Sequence, residues 1–249
     1  MTKSYAVVTG ASSGIGAATA VALANNGFTV IAVARRLDRL EELAKNHANI
    51  EPYFLDVTDE KSVSNFLSQV AGKNISVLIN NAGGAFDSQS VENADVEVWR
   101  KSYDVNVLGT VRMVRALLPA LKVSGNGTVV LISSTAGYAA YEYGGSYVAA
   151  KSAEVSLART MRLELNGLPI RIIEIAPGMV KTDEFAKVRF GGDIEKAEAV
   201  YKGVAEPLVA EDVAEAVRWT VMLPGHVNID SLVIRPVAQA ANHKVHRVL

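Results

Sequence analysis

Tyr147 and Lys151 stand four residues apart in Tyr147-Val148-Ala149-Ala150-Lys151, a segment that reads as helix, so a phenol and an ammonium share one face. A phenol, with an ordinary pKa of about 10, is a poor base at neutral pH; a cation beside it favours the ionised form and makes it a usable proton carrier. The pair alone is a weak signal, because eight tyrosines and twelve lysines in 249 residues give about 0.4 such spacings by chance. Tyr138, Tyr141 and Tyr143 lie nearby, but none has a lysine four residues later. Position adds weight. Ser134, whose hydroxyl is suited to hold a developing alkoxide, ends an apolar run, and Asn106 sits in the helical stretch before that run.

A second chemical signal lies at the start of the chain. Thr9-Gly10-Ala11-Ser12-Ser13-Gly14-Ile15-Gly16 links the apolar stretch Tyr5 to Val8 to a helical pattern, the strand, turn and helix succession that cradles a dinucleotide pyrophosphate. Gly10 permits the tight turn, while Gly14 and Gly16 leave out β-carbons that would obstruct phosphates and hold helix from strand. A purely structural glycine turn is the alternative. The next strand tip carries Arg35-Arg36 and no carboxylate. Arginine pairs with a phosphate through two donors, so these residues read as selectors of NADP over NAD, or as an exposed basic pair opening a helix, with Asp38 favouring that helix's N-terminus. Asp56-Val57 offers a carboxylate and an amide beside an adenine, or a helix cap. Asn81-Ala82-Gly83 permits close approach of a ribose, or makes a turn.

These residues need a frame that brings them together. Strand-like runs at Tyr5 to Val8, Thr29 to Ala34, Ile50 to Leu55, Val77 to Asn80, Thr128 to Ser133, Ile170 to Ala176 and Ser231 to Ile234 alternate with helical spacing. Runs such as Val129-Val130-Leu131-Ile132 lack polar alternation, as central strands buried on both faces do. The pattern predicts an α/β fold, a doubly wound parallel sheet of about seven strands with helices on both faces. Ligands in such sheets bind beyond the carboxyl ends of the strands, where all the candidate segments fall, together with Ser133-Ser134 and Pro177-Gly178.

Composition narrows the partners. At 249 residues and 49% hydrophobic, the chain fits one domain spanning 1–249. A net charge of -1 gives no basic footprint for nucleic acid or for anionic lipid. There is no cysteine, and the four histidines, His47, His226, His243 and His246, suggest no metal cluster. The start lacks a long apolar segment and no run is long enough to span a bilayer, so a cytoplasmic protein is the expectation.

Taken together, Thr9 to Gly16, Asn81-Ala82-Gly83, Asn106, Ser134, Tyr147, Lys151 and Pro177-Gly178 resemble, in order and spacing, the short-chain dehydrogenase/reductase family over nearly the whole chain. The resemblance implies a single-domain Rossmann-type fold and an Asn106-Ser134-Tyr147-Lys151 tetrad. Tyr147 would be general acid and base, Ser134 the oxyanion partner, Lys151 the tuner and ribose anchor, and Asn106 the holder of a relay water. It also implies cofactor contacts from Ser12, Ser13, Ile15, Val180 and Thr182, and a homotetramer.

The stretch from about 181 to 210 breaks the strand and helix rhythm and reads either as a lid or as a solvated helix pair. Thr182-Asp183-Glu184-Phe185, Val188-Arg189-Phe190, Trp219 and Leu223 to Ile229 resemble the branch that oxidises small 3-hydroxy acids, including serine, with NADP. A carboxylate substrate needs a cation, for which Arg189 is the first candidate and Lys181 the second. A carbonyl or 3-oxoacyl-thioester reductase is the alternative, and a dinucleotide-sensing regulator a remote one. The tail with His243, His246 and Arg247 reads as a frayed terminus or as an arm reaching a neighbouring subunit.

Overall fold

The computed structural model describes residues 4–248. Seven parallel strands form one sheet: β1 (Tyr5–Thr9), β2 (Thr29–Ala34), β3 (Ile50–Phe54), β4 (Ile75–Asn80), β5 (Gly127–Ile132), β6 (Ile170–Pro177) and β7 (Ser231–Ile234). Their order is β3-β2-β1-β4-β5-β6-β7, so the chain reverses its direction of travel across the sheet between β1 and β4. That reversal opens a crevice at the carboxyl ends of these two strands.

Every residue of β2, β4 and β5 is buried, which explains why they read as mainly apolar runs without polar alternation. Along β1, Ala6 and Val8 pack on one face with Leu23 of α1 (Gly14–Ala24), Leu40 of α2 (Leu37–Asn46) and Val217 of α9 (Ala210–Met222). Val7 points to the other face. There it joins Phe66 of α3 (Glu60–Gln69), Leu117 of α5 (Gly109–Val123) and Met161 of α6 (Gly145–Glu164). Strand alternation therefore feeds two cores, one per face.

The remaining elements are α4 (Val96–Tyr103), the short α7 (Phe185–Arg189) and α8 (Ile194–Ala199), and a hairpin of β8 (Gln239–Ala241) with β9 (Lys244–Val245). The hairpin corrects the expectation of a frayed tail: the segment folds back on its own chain. Buried Arg171 on β6 departs from the apolar pattern. Its guanidinium donates to Thr128 Oγ1 at 2.8 Å, to Val221 O at 2.8 Å and to Thr220 O at 3.0 Å, satisfying the last carbonyls of α9. No helix among the described residues is long and apolar enough to cross a membrane.

Candidate active site

All the strand ends flagged in the sequence open onto one crevice of about 780 Å³. Its floor is the first turn. Gly10 adopts φ +67 and Gly14 φ +51, both in the left-handed region that glycine tolerates. A β-carbon on Gly16 would lie 2.4 Å from Gly10 O, so Gly16 lets helix and turn pack closely but does not itself line the crevice. Thr9 and Asn81 lock the turn in place. The Asn81 amide donates to Thr9 O at 2.9 Å, and Thr9 Oγ1 accepts from Asn81 N and Ala82 N, both at 3.0 Å. α1 starts at Ser13 without a side-chain cap and without an acid in its first turn, leaving its N–H groups free for an anion.

At one end of the crevice, Arg36 reaches back across the turn. Its guanidinium donates to Ser12 Oγ at 2.9 Å and Ser13 Oγ at 3.0 Å, and its Nη1 lies 2.6 Å from Glu184 Oε1. Arg39 and Ser13 also contact this carboxylate. The hydrogen bond from Arg36, helped by those from Arg39 and Ser13, holds Glu184 at a pKa of about 2. Arg35 is exposed at the rim. Asp56 accepts from Thr58 N at 2.9 Å in a local turn, while Asp59 caps α3; Val57 lines the wall between them.

At the other end, the predicted α6 helix places Tyr147 and Lys151 on its inner face, both buried. The Tyr147 ring packs edge-on against Phe185, with centroids 5.6 Å apart. Lys151 donates to Ile132 O at 2.9 Å, and its Nζ lies 2.6 Å from Glu154 Oε2. Burial alone would lower the lysine pKa, but the charges of Glu154 and Tyr147 outweigh it and raise it. Ser134 extends β5 into the crevice, accepting from Ala136 N at 3.1 Å, whereas the adjacent Ser133 hydroxyl is committed to Glu174.

Asn106 lies beneath the crevice rather than on its wall. It occupies a single π turn, Asp104–Leu108, between α4 and α5, in which Gly109 N–H reaches back five residues to Asp104 O. The side chain is fully buried and braces the β4 loop: Oδ1 accepts from Gly84 N at 3.0 Å, and Nδ2 donates to Gly84 O at 3.0 Å and Ser102 O at 2.7 Å. Gly83 makes this possible, since a β-carbon there would stand 2.4 Å from Asn106 Oδ1.

The roof comes from 181–210 and from the tail. Val180 forms a bridge with Leu208, and in that extended segment Val180 and Thr182 line the crevice while Lys181, the second substrate-anchor candidate, is exposed and does not. Arg189 does line it, with its guanidinium over the Tyr141 ring at 5.2 Å and its buried Nε without a hydrogen-bond partner. The tail adds Gln239 and Asn242, which sequence reasoning missed, to the already noted His243 and Arg247. Gln239 Oε1 accepts from Met179 N at 2.7 Å beside Gly178, where a β-carbon would lie 2.2 Å from that oxygen. Asn242, His243 and Arg247 complete the wall.

The family model for the short chain dehydrogenase matches residues 4–191. The chain belongs to the short-chain dehydrogenases. An uncharacterized oxidoreductase of Mycobacterium tuberculosis is 52% identical over 239 residues, covering 96% of this chain and 93% of the relative. The NADP-dependent 3-hydroxy acid dehydrogenase of Escherichia coli is 39% identical over 246 residues, covering 97% and 98%. Among solved structures, the closed form of serine dehydrogenase complexed with NADP+ superimposes with a TM-score of 0.92 at 38% identity, covering 98% of this short-chain dehydrogenase and all of that chain. This short-chain dehydrogenase is an oxidoreductase related to the 3-hydroxy acid and serine dehydrogenases.

Proposed function

We propose that the protein is an NADP-dependent dehydrogenase of small 3-hydroxy acids of the serine, 3-hydroxypropionate or 3-hydroxyisobutyrate type. The observation that carries this reading is the pairing of two ends in one crevice: a basic, serine-lined end against the uncapped α1 N-terminus, and an end where Tyr147, Lys151 and Ser134 converge. The residues fit the cofactor. Arg36 with Ser12 and Ser13, and Arg35 at the rim, suit a 2′-phosphate; the N–H groups from Ser13 to Ile15 suit the pyrophosphate. The floor and walls at Gly10, Gly14, Asp56, Val57, Asn81, Ala82, Gly83, Pro177, Gly178, Val180 and Thr182 complete the cleft, with Gly16 acting through packing. Bound NADP takes up or supplies the hydride.

The chain's own groups handle the proton. In oxidation, Tyr147 as phenolate takes the substrate hydroxyl proton while Ser134 Oγ donates to the same oxygen. In reduction, Tyr147 returns it. The Lys151 ammonium favours the phenolate and anchors the nicotinamide ribose. The Asn106 amide is spent on Gly84 and Ser102, so we assign the relay water to its main-chain carbonyl, which also accepts from Thr110 Oγ1 at 2.8 Å. Arg189, with an unpartnered Nε on the roof, anchors the substrate carboxylate, and 181–210 acts as the lid that carries it.

The test compares turnover of 3-hydroxypropionate and 3-hydroxyisobutyrate with their methyl esters, in the native enzyme and in Y147F and R189A. Y147F loses about 10³-fold in kcat with cofactor binding preserved. R189A erases the preference for free acid. Equal turnover of acid and ester in the native enzyme would instead favour a reductase of neutral carbonyls. In the same reading the protein is a homotetramer. β7 is an open edge strand with Val233 exposed, and Trp219 and Met222 are exposed on α9, a surface that a second copy would cover. Light scattering checks it.

A further inference from the structure

Glu154 takes no part in the proton and hydride steps above, yet it is 1% exposed in the heart of the molecule. Burying a carboxylate costs several kcal/mol unless the site uses it, and an alanine or valine would fill a helix face against a sheet as well. Its Oε2 stands 2.6 Å from Lys151 Nζ, and the attraction of opposite charges is the larger part of that contact. It sits one turn beyond Lys151, which is itself one turn beyond Tyr147. The groups facing it are Lys151 from its own helix, Thr110 from α5 and Glu174 from β6, while Lys151 in turn faces the Tyr147 ring, its Nζ 5.7 Å from the ring centre. Glu174 in turn accepts from Ser133, Tyr138 and Ser231.

We propose that Glu154 is a positioning residue that sets how much of the Lys151 charge reaches the Tyr147 hydroxyl. An unopposed ammonium favours the phenolate; a carboxylate beside that ammonium cancels much of its field, so Tyr147 keeps its proton and the site is biased toward carbonyl reduction. When Glu154 is protonated, the full lysine field returns. Burial, opposed by Lys151, lifts the Glu154 pKa to about 7, which puts this change at neutral pH. With Lys151 Nζ 2.6 Å from Glu154 Oε2 and 5.7 Å from the centre of the Tyr147 ring, the two bound the carboxylate to within about 8 Å of the ring, where a unit charge at an effective dielectric of about 20 moves a titration by about one to two pH units.

The inference rests on Tyr147 as the proton carrier, and E154Q tests it by two routes. In the apoenzyme, the tyrosinate ultraviolet signal assigned to Tyr147, taken as the difference from the matching Y147F protein, develops at lower pH by about one unit in E154Q. In steady state, the acid limb of kcat/KM for alcohol oxidation moves down by the same amount while NADP Kd stays within about twofold. E154M, which also removes the charge, shows the same shifts and stands in should E154Q fold poorly. A fall in kcat with both profiles unmoved would mean a merely structural residue and overturn the proposal. An active Y147F would remove the proton-carrier assignment instead, so the two failures are distinguishable.

Discussion

Glu184 lines the crevice and Glu154 is buried behind Lys151, and each is held by a basic side chain at 2.6 Å. Their chemistry nevertheless runs in opposite directions. The side chains of Glu184 and Arg36 are 29% and 41% exposed, and hydrogen bonds hold the carboxyl at a pKa of about 2. The side chains of Glu154 and Lys151 are 1% and 5% exposed, and burial lifts the carboxyl to about 7. Water keeps solvating the first anion while three donors add to that solvation; the second has lost its water and gained only one cation. Desolvation, rather than the presence of a partner, decides the sign. The first pair joins the 181–210 segment to the glycine turn at the crevice rim, where one anion can be exchanged for another, whereas the second is sealed beneath the sheet end.

The largest expected effect concerns that exchange. R36A weakens NADP binding by about 10- to 100-fold relative to NAD, the worth of a charge-assisted double contact. E184A, which removes the competing carboxylate, leaves NADP binding unchanged or tighter; weaker binding in E184A would show that Glu184 supports the site instead of vacating it. Fluorescence titration measures both.

Next is the dependence of stability on pH. Glu184 is lowered from 4.5, so its contribution is present above that value and is lost as pH falls through about 2. Glu154 is raised from 4.5, so its contribution is present below 4.5 and is lost as pH rises through about 7. Relative to the native protein, E154Q therefore gains Tm between pH 4.5 and 7, by a few degrees. The Tm deficit of E184Q disappears toward pH 2. Parallel slopes in the two thermal scans would break the contrast. The smallest effect is that of salt: about 1 M NaCl, with a screening length of about 3 Å, abolishes any difference between E184Q and native stability, worth less than about 1 kcal/mol, and leaves that of E154Q unchanged.

The seven strands were legible because parallel strands buried on both faces read as continuous apolar runs, with ends displaced by only a residue or two, as where β4 starts at Ile75 rather than Val77. The crevice was legible because the fold puts every strand end on one side. What stayed hidden depended on pairwise geometry. Glu154 follows Lys151 by three residues and looks like any solvated helix position; only the packing of α6 on the sheet buries it. Arg36 rather than Arg35 turns toward Ser12, because the chain leaves the strand with Arg35 facing solvent. Lys181 sits between two crevice residues, and strand alternation turns it outward. The hairpin gave no signal because strands of three and two residues are too short for any period to emerge.

The π turn at Asp104–Leu108 carries one residue more than an α-helix of the same rise requires. Losing a single codon there would join α4 and α5 into one regular helix and rotate everything before the deletion by about 100° against everything after it. Asn106, whose amide now clasps Gly84 and the Ser102 carbonyl, would be turned away from one of its two partners. A lesion of one residue would then leave a chain of nearly unchanged length and composition whose β4 loop has lost its brace.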